Sequence, residues 1–327
     1  MNKRILIITF CLFLFPQIFA QKREVTSNID KAAGQNDTIS FLHITDLHTI
    51  FQQNTYNPDF LAYRKQRQYD KSEMRLKDFL RETPKRTKSE MVIATGDLVD
   101  FFEIDERDSK YLESQTRCFA KLIGKSPVPV FCTLGNHDLF SFHWKDSLLK
   151  HDQNSSGRAR AYWIRNLSCF KNGTVYSKII MIGQTTYRLI FLDNGTNKYN
   201  PANKNEIPYI DKSQVCWLKS QLRESKDDVV IILMHIPFDE FQTSRECNNE
   251  LYSILTQDKS VKLILAGHYH KNHVCFYPSI DNNQLIEVQT GTLSQNINNW
   301  RQIRLTENNI LVSVPGKCEN ELRIPVK

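Results

Sequence analysis

Five short apolar runs recur along the chain, each closed by polar or glycine residues. Ile39 to Thr45 ends at Asp46, Met91 to Thr95 at Gly96-Asp97, and Val130 to Leu134 at Gly135-Asn136-His137-Asp138. Val229 to Met234 ends at His235-Ile236-Pro237, and Val261 to Ala266 at Gly267-His268-Tyr269-His270. Runs this short, mostly rich in Val, Ile and Leu, read as buried strands. Helical patterns lie between them. Tyr69, Leu76, Phe79 and Leu80 share one face of a segment that otherwise carries Lys and Arg. Leu112 to Ile123 and Trp217 to Leu222 follow similarly. Alternating strands and helices predict an α/β layered fold. Stretches 139–172 and 194–210 hold several Asn and Ser with little periodicity and read as large loops. No internal repeat or Pro- or Ser-rich linker divides the chain. One domain is expected over 38–327, behind a polar lead-in at 21–37.

The first twenty residues carry a different pattern. Lys3 and Arg4 precede an apolar run from Ile5 to Phe15, followed by Pro16 and Ile18-Phe19-Ala20. A basic start, an apolar stretch and a small residue at a cleavage point predict a signal peptide over 1–20. The run is shorter than the roughly 20 residues a bilayer-spanning helix needs, so an uncleaved anchor is the lesser alternative. A secreted or periplasmic protein is expected, with no transmembrane segment after cleavage.

Composition narrows the class but not the activity. The 327 residues are 40% hydrophobic and 24% charged with 11 Gly and 11 Pro, which excludes collagen-like and disordered chains. The formal charge is +7, yet the segment from Arg64 to Lys88 alone holds ten Lys and Arg against four Asp and Glu. The basicity therefore belongs to one helical region, read as a solvated face, and no specific nucleic-acid partner is expected. Seven cysteines follow the leader, an odd number without a Cys-x-x-Cys spacing. Cys132, inside an apolar run, reads as a buried thiol.

The chemistry gathers where the strands end. Asp46, His48, Asp97, Asn136, His137, His235, His268 and His270 stand there, including five of the nine histidines. Ligands of open α/β sheets bind at the carboxyl ends of strands. Carboxylates, an amide oxygen and imidazoles together suit Zn, Mn or Fe. Each short motif occurs by chance, but five in order, each closing a strand, form one pattern. The ordered set Asp46-Leu47-His48, Gly96-Asp97-Leu98-Val99-Asp100, Gly135-Asn136-His137-Asp138, His235 and Gly267-His268-Tyr269-His270 resembles the calcineurin-like metallophosphoesterase superfamily.

That resemblance implies a four-layer α/β/β/α sandwich of two mixed β-sheets flanked by helices, with the metal site at the strand C-terminal ends. It implies two divalent metal ions, one held by Asp46, His48 and His270 and the other by Asn136, His235 and His268. Asp97 would bridge them. A metal-bound hydroxide would then attack a phosphomonoester or phosphodiester, a nucleotide being one candidate substrate. His137 would act as general acid or charge stabiliser at the leaving group, and Asp100 would orient it unless it is merely a loop carboxylate or helix cap. Asp138 resembles a structural turn position. Phe101 stands where protein phosphatases carry a phosphate-clamping arginine, and Asp100 where purple acid phosphatases carry an iron-bound tyrosine. The pattern looks closest to bacterial cyclic-nucleotide phosphodiesterase-like and related exported enzymes. A non-catalytic scaffold binding a partner protein is the alternative, as is a nucleic-acid module resting on charge alone. The oligomeric state is open.

Other polar residues read more plainly. His43, inside the first strand, is expected to be packed. His143 and Trp144 are candidates either for substrate contact or for loop packing. Arg158 and Arg160 either bind phosphate or sugar or are solvated. Asn154, Asn166, Asn172 and Asn194 head glycosylation sequons that matter only in a eukaryotic secretory route.

Overall fold

Strands with apolar residues on both faces need cover on both sides, and two sheets stacked between helices supply it. The computed structural model describes residues 38–105, 114–200, 205–243, 249–280 and 284–326. The expected leader and lead-in, Cys11 and Cys247 lie outside them. The first six-stranded sheet runs in the order 320–325, 309–313, 301–306, 38–44, 91–95, 130–133. Thr38–Ile44, Met91–Thr95 and Val130–Thr133 are parallel neighbours, while Arg301–Thr306 joins antiparallel. The second sheet has the order 273–278, 284–289, 261–266, 229–233, 185–191, 176–182. Its four inner strands are parallel and both edge strands antiparallel.

Three apolar cores define the layers. Phe41, Ile93, Leu189, Ile231, Leu263 and Leu305 fill the space between the two sheets. Their neighbours along the same strands, Leu42, Ile44, Val92 and Ala94, point the other way, toward Leu76, Phe79, Phe119 and Trp163 on helices. Ile190, Val230 and Ile232 likewise face Val215, Leu218, Leu251 and Leu255. The period of two is present, but both faces are apolar, so it reads in sequence as a continuous run. No helix among the described residues is long and apolar enough to cross a membrane. All six described cysteines are free, and Cys132 is buried.

The two stretches read as loops are not loops. Ser141–Lys145 and Leu148–Asp152 form a hairpin, Ser156–Asn166 is a helix, and Thr196–Asn200 pairs with Asn205–Tyr209. Helix Ser156–Asn166 buries only Ala159 and Trp163, a stripe too narrow to announce itself as a helical period. Trp144 is in a strand and packs on Phe60 and Tyr63, with ring centroids 5.7 Å and 5.6 Å away. Tyr69 belongs to a separate 3₁₀ turn, Tyr69–Lys71, before helix Ser72–Thr87. His43 is packed as expected, its ring nitrogens 2.8 Å from Thr95 Oγ1 and 2.8 Å from Thr290 Oγ1.

A carboxyl group, Glu287, is buried beneath the second sheet. Its Oε1 accepts from Phe238 N at 2.7 Å and its Oε2 from the Tyr277 hydroxyl at 2.8 Å. Burial pushes its pKa up from 4.5 to about 7. The folded chain thus holds this proton more tightly than the unfolded chain, so stability falls as pH rises through that window. Glu287→Gln is expected to flatten this dependence, by about 3 kcal/mol between pH 4 and pH 8. Denaturant unfolding of both proteins across that range checks it; parallel curves would sink the idea.

Candidate metal centre

Parallel pairing of the first two strands sets Asp46 beside Asp97 at the same sheet end. Asp46 N donates to Gly96 O at 3.1 Å and His48 N to Asp97 O at 2.8 Å. The second sheet meets this end through His268 N, which donates to Asp46 Oδ2 at 2.9 Å. Gly267 allows the approach, because a Cβ there would stand 2.5 Å from Asp46 Oδ2. Gly96, at φ +87, plays the same part beneath His235, whose Cγ a Cβ would meet at 2.6 Å. Asp46, His48, Asp97, His268 and His270 all adopt left-handed backbone, with φ between 40 and 70. Such a conformation costs roughly 1–3 kcal/mol per residue and marks sites held by their surroundings.

The expected donors converge in two groups that share Asp97, and His48, Asp100 and His137 form a third cluster beside them. Asp46, His48, Asp97 and His270 each offer a donor atom within 4.8 Å of the others, and so do Asp97, His235 and His268. His48 Nε2 lies 3.1 Å from His270 Nε2 and 3.6 Å from Asp97 Oδ2. Asp46 Oδ1 is 3.1 Å from His270 Nε2, yet it is buried without a hydrogen bond. On the other side, His235 Nε2 is 3.3 Å from Asp97 Oδ2 and 3.2 Å from Asn136 Oδ1. All seven expected donors are therefore together, with Asp97 common to both groups.

The outer atoms of these rings fix which nitrogen faces inward. His235 Nδ1 is 2.8 Å from Thr95 O, a pure acceptor, so Nδ1 donates there and Nε2 is the ring nitrogen that faces the site. His48 Nδ1 has the Asp100 carboxylate at 3.3 Å and leaves Nε2 likewise inward. Imidazole nitrogens and carboxylate oxygens converge there, and Asp46 Oδ1 is buried without a hydrogen bond, a donor set that suits a cation. The residues fit divalent metal. Burial alone would raise the Asp97 pKa, but neighbouring imidazoles, His235 foremost, hold it well below the usual range. Asp46 is pulled down to about 2 against the same burial effect, chiefly by the His270 imidazole beside it. Both carboxylates are thus ready to ligate at neutral pH.

His137 sits at the rim. Its backbone N donates to Asp97 Oδ1 at 2.9 Å, and its ring Nδ1 donates to Asp100 O at 2.6 Å. The Asp100 carboxylate lies 3.5 Å from that nitrogen and is nearer His48 than His137. Asp138 is buried, accepting from Gly135 N at 2.8 Å and Val99 N at 3.0 Å, as its turn position predicted. Arg158 pairs with Glu103, and Arg160 binds both oxygens of Asp193, so both are committed to carboxylates of the chain.

Three residues near the site escape sequence reading. Asn194 is buried; its Oδ1 accepts from His235 N at 2.9 Å and its Nδ2 donates to Ile236 O at 2.9 Å, which closes its sequon to a glycan. Arg64 and Tyr69 pack behind His48. Asn57, capping helix Pro58–Lys65, followed four residues on from Phe60 by Arg64 on the buried stripe, was the available signal.

A family model, calcineurin-like phosphoesterase, matches residues 39–272. The chain belongs to that family. Calcineurin-like phosphoesterases are hydrolases of phosphoric esters, and this chain is one by family. Its fold recurs in a dimetal phosphatase from Danio rerio, at 16% identity and a TM-score of 0.61 over 88% of this chain and 99% of that one. It also recurs in GAP50, the anchor in the inner membrane complex of Plasmodium, at 14% identity, a TM-score of 0.54 and 89% of each chain. Purple acid phosphatase PPD1 from yellow lupin matches at 13% identity and a TM-score of 0.51, over 84% of this chain and 51% of that one. These likenesses establish a shared architecture. No curated protein matches the sequence.

Proposed function

We propose that the protein is an exported, dinuclear metal-dependent phosphoesterase acting on a phosphomonoester or phosphodiester, with a nucleotide as one candidate substrate. The observation that carries this reading is the pair of donor groups sharing Asp97. Asp46, His48 and His270 would hold one ion and Asn136, His235 and His268 the other, with Asp97 contributing to both groups. When bound, two divalent ions neutralise phosphate charge and lower the pKa of water toward about 7. His137, fixed through Nδ1 by the Asp100 carbonyl, presents Nε2 to the leaving oxygen and delivers a proton there. Export rests on the basic, apolar and small-residue pattern of residues 1–20. Chelator-treated protein is expected to be inactive on bis-p-nitrophenyl phosphate and to regain turnover with Mn, Zn or Fe. No hydrolysis of that ester or of a phosphomonoester with any of them would favour the partner-binding scaffold instead.

A further inference from the structure

Arg64 belongs to none of the five motifs, yet it is buried, at 5% exposure. A buried guanidinium carries a desolvation cost that an apolar residue of its size would avoid, so its retention calls for a reason beyond stability. Its Nε donates to Asp100 Oδ2 at 2.7 Å and its Nη2 to Asp100 Oδ1 at 2.5 Å, a two-pronged grip that allows the carboxylate no rotation. The guanidinium also lies over the Tyr69 ring, 4.9 Å from its centroid. Tyr69 in turn stacks on the His48 imidazole, with centroids 4.3 Å apart and planes 8° from parallel. The gripped carboxylate oxygen, Asp100 Oδ1, is 3.3 Å from His48 Nδ1 and 3.5 Å from His137 Nδ1.

One side chain therefore touches the carboxylate behind two imidazoles and the ring that backs one of them. We infer that Arg64 is a positioning residue that sets, through Asp100 and Tyr69, both the metal-facing orientation of His48 and the leaving-group orientation of His137. The inference rests on the roles proposed above for those two histidines. Phe142 closes the arrangement, under Arg64 at 5.6 Å and beside His137 at 5.5 Å, so the guanidinium has little room to swing away. Lysine cannot replace it, because an ammonium is a point charge that meets a carboxylate without fixing its plane.

The test compares Arg64→Ala and Arg64→Lys with the unaltered protein, using calorimetric Mn²⁺ titration without substrate and turnover on two esters. Mn²⁺ affinity is expected to fall about 10–100-fold in both folded variants, the range for groups that orient ligands. At saturating Mn²⁺, kcat is expected to fall more on an alkyl phosphoester than on a p-nitrophenyl ester, with KM little changed. An ion pair that only stabilises the fold would move neither reading. If Arg64→Ala does not fold, Arg64→Lys decides. Unaltered Mn²⁺ affinity and unaltered leaving-group dependence in folded Arg64→Lys overturn the inference. Asp97→Ala run alongside separates the layers. Should it keep metal and turnover, the metal assignment itself fails. Should it lose both while Arg64→Lys does not, only the role of Arg64 falls.

Discussion

Asp97→Ala is expected to lose metal and turnover together, with kcat falling on the order of 10³-fold or more. Asp97 is the member common to both donor groups, and its Oδ2 lies 3.6 Å from His48 Nε2 and 3.3 Å from His235 Nε2. No other carboxylate in the two groups faces both sides. Its loss also frees the backbone N of His137, which donates to Asp97 Oδ1 at 2.9 Å, so the rim loosens as well. The stability readout separates this from simple unfolding. Neighbouring imidazoles hold Asp97 ionised, so metal-free Asp97→Ala should melt lower than the metal-free parent yet still unfold cooperatively. With metal at a hundred times its dissociation constant, the parent gains about 2.7 kcal/mol that the variant does not. Thermal melts with and without Mn²⁺, beside elemental analysis, measure both. Full metal occupancy in Asp97→Ala would contradict the bridging role.

His137→Ala is expected to do the opposite, keeping both ions and losing turnover. The imidazole is outside the two donor groups that share Asp97, and its Nδ1 is already spent on the Asp100 carbonyl. General acid catalysis contributes typically 10²–10⁴-fold, and its worth grows as the leaving group becomes a poorer one. A p-nitrophenolate leaves without help, whereas an alkoxide needs a proton as the bond breaks. The loss should therefore approach about 10⁴ on an alkyl ester and stay near about 10 on an activated one. Equal losses on the two esters, with metal retained, would argue for charge stabilisation or positioning in place of proton delivery.

The donor set was legible in the sequence because each member closes a hydrophobic run, and strand ends are local in the chain. Two features within a few residues, an apolar stretch and its polar stop, suffice to place Asp46, Asp97, Asn136, His235 and His268. The supports were not legible because their partners are remote. Arg64 meets Asp100 across 36 positions, and Asn194 meets Ile236 across 42. Arg64 was instead absorbed into a basic segment whose other cations are mostly solvent-facing. The same limit hid the hairpin Ser141–Lys145 with Leu148–Asp152. Its buried Phe142 is diluted by polar neighbours, and its pairing strand Glu103–Asp105 lies far upstream. Asp100 shows a second kind of shortfall. The resemblance placed it behind His137, but the fold gives it His48 as the nearer imidazole, a choice no linear spacing encodes.

The seven donors are divided between the sheets: Asp46, His48, Asp97 and Asn136 follow strands of the first, and His235, His268 and His270 follow strands of the second. Among the described residues the sheets share no ladder; the apolar layer of Phe41, Ile93, Leu189, Ile231 and Leu263 lies between them. The spacing of the donors is therefore set by side-chain thickness in that layer. The centre works as a caliper whose jaws are the sheet ends and whose gauge is oil. A methylene added or removed far from any ligand changes the gap between the jaws. Which ions fit, and how tightly, is then written partly in residues that never touch them.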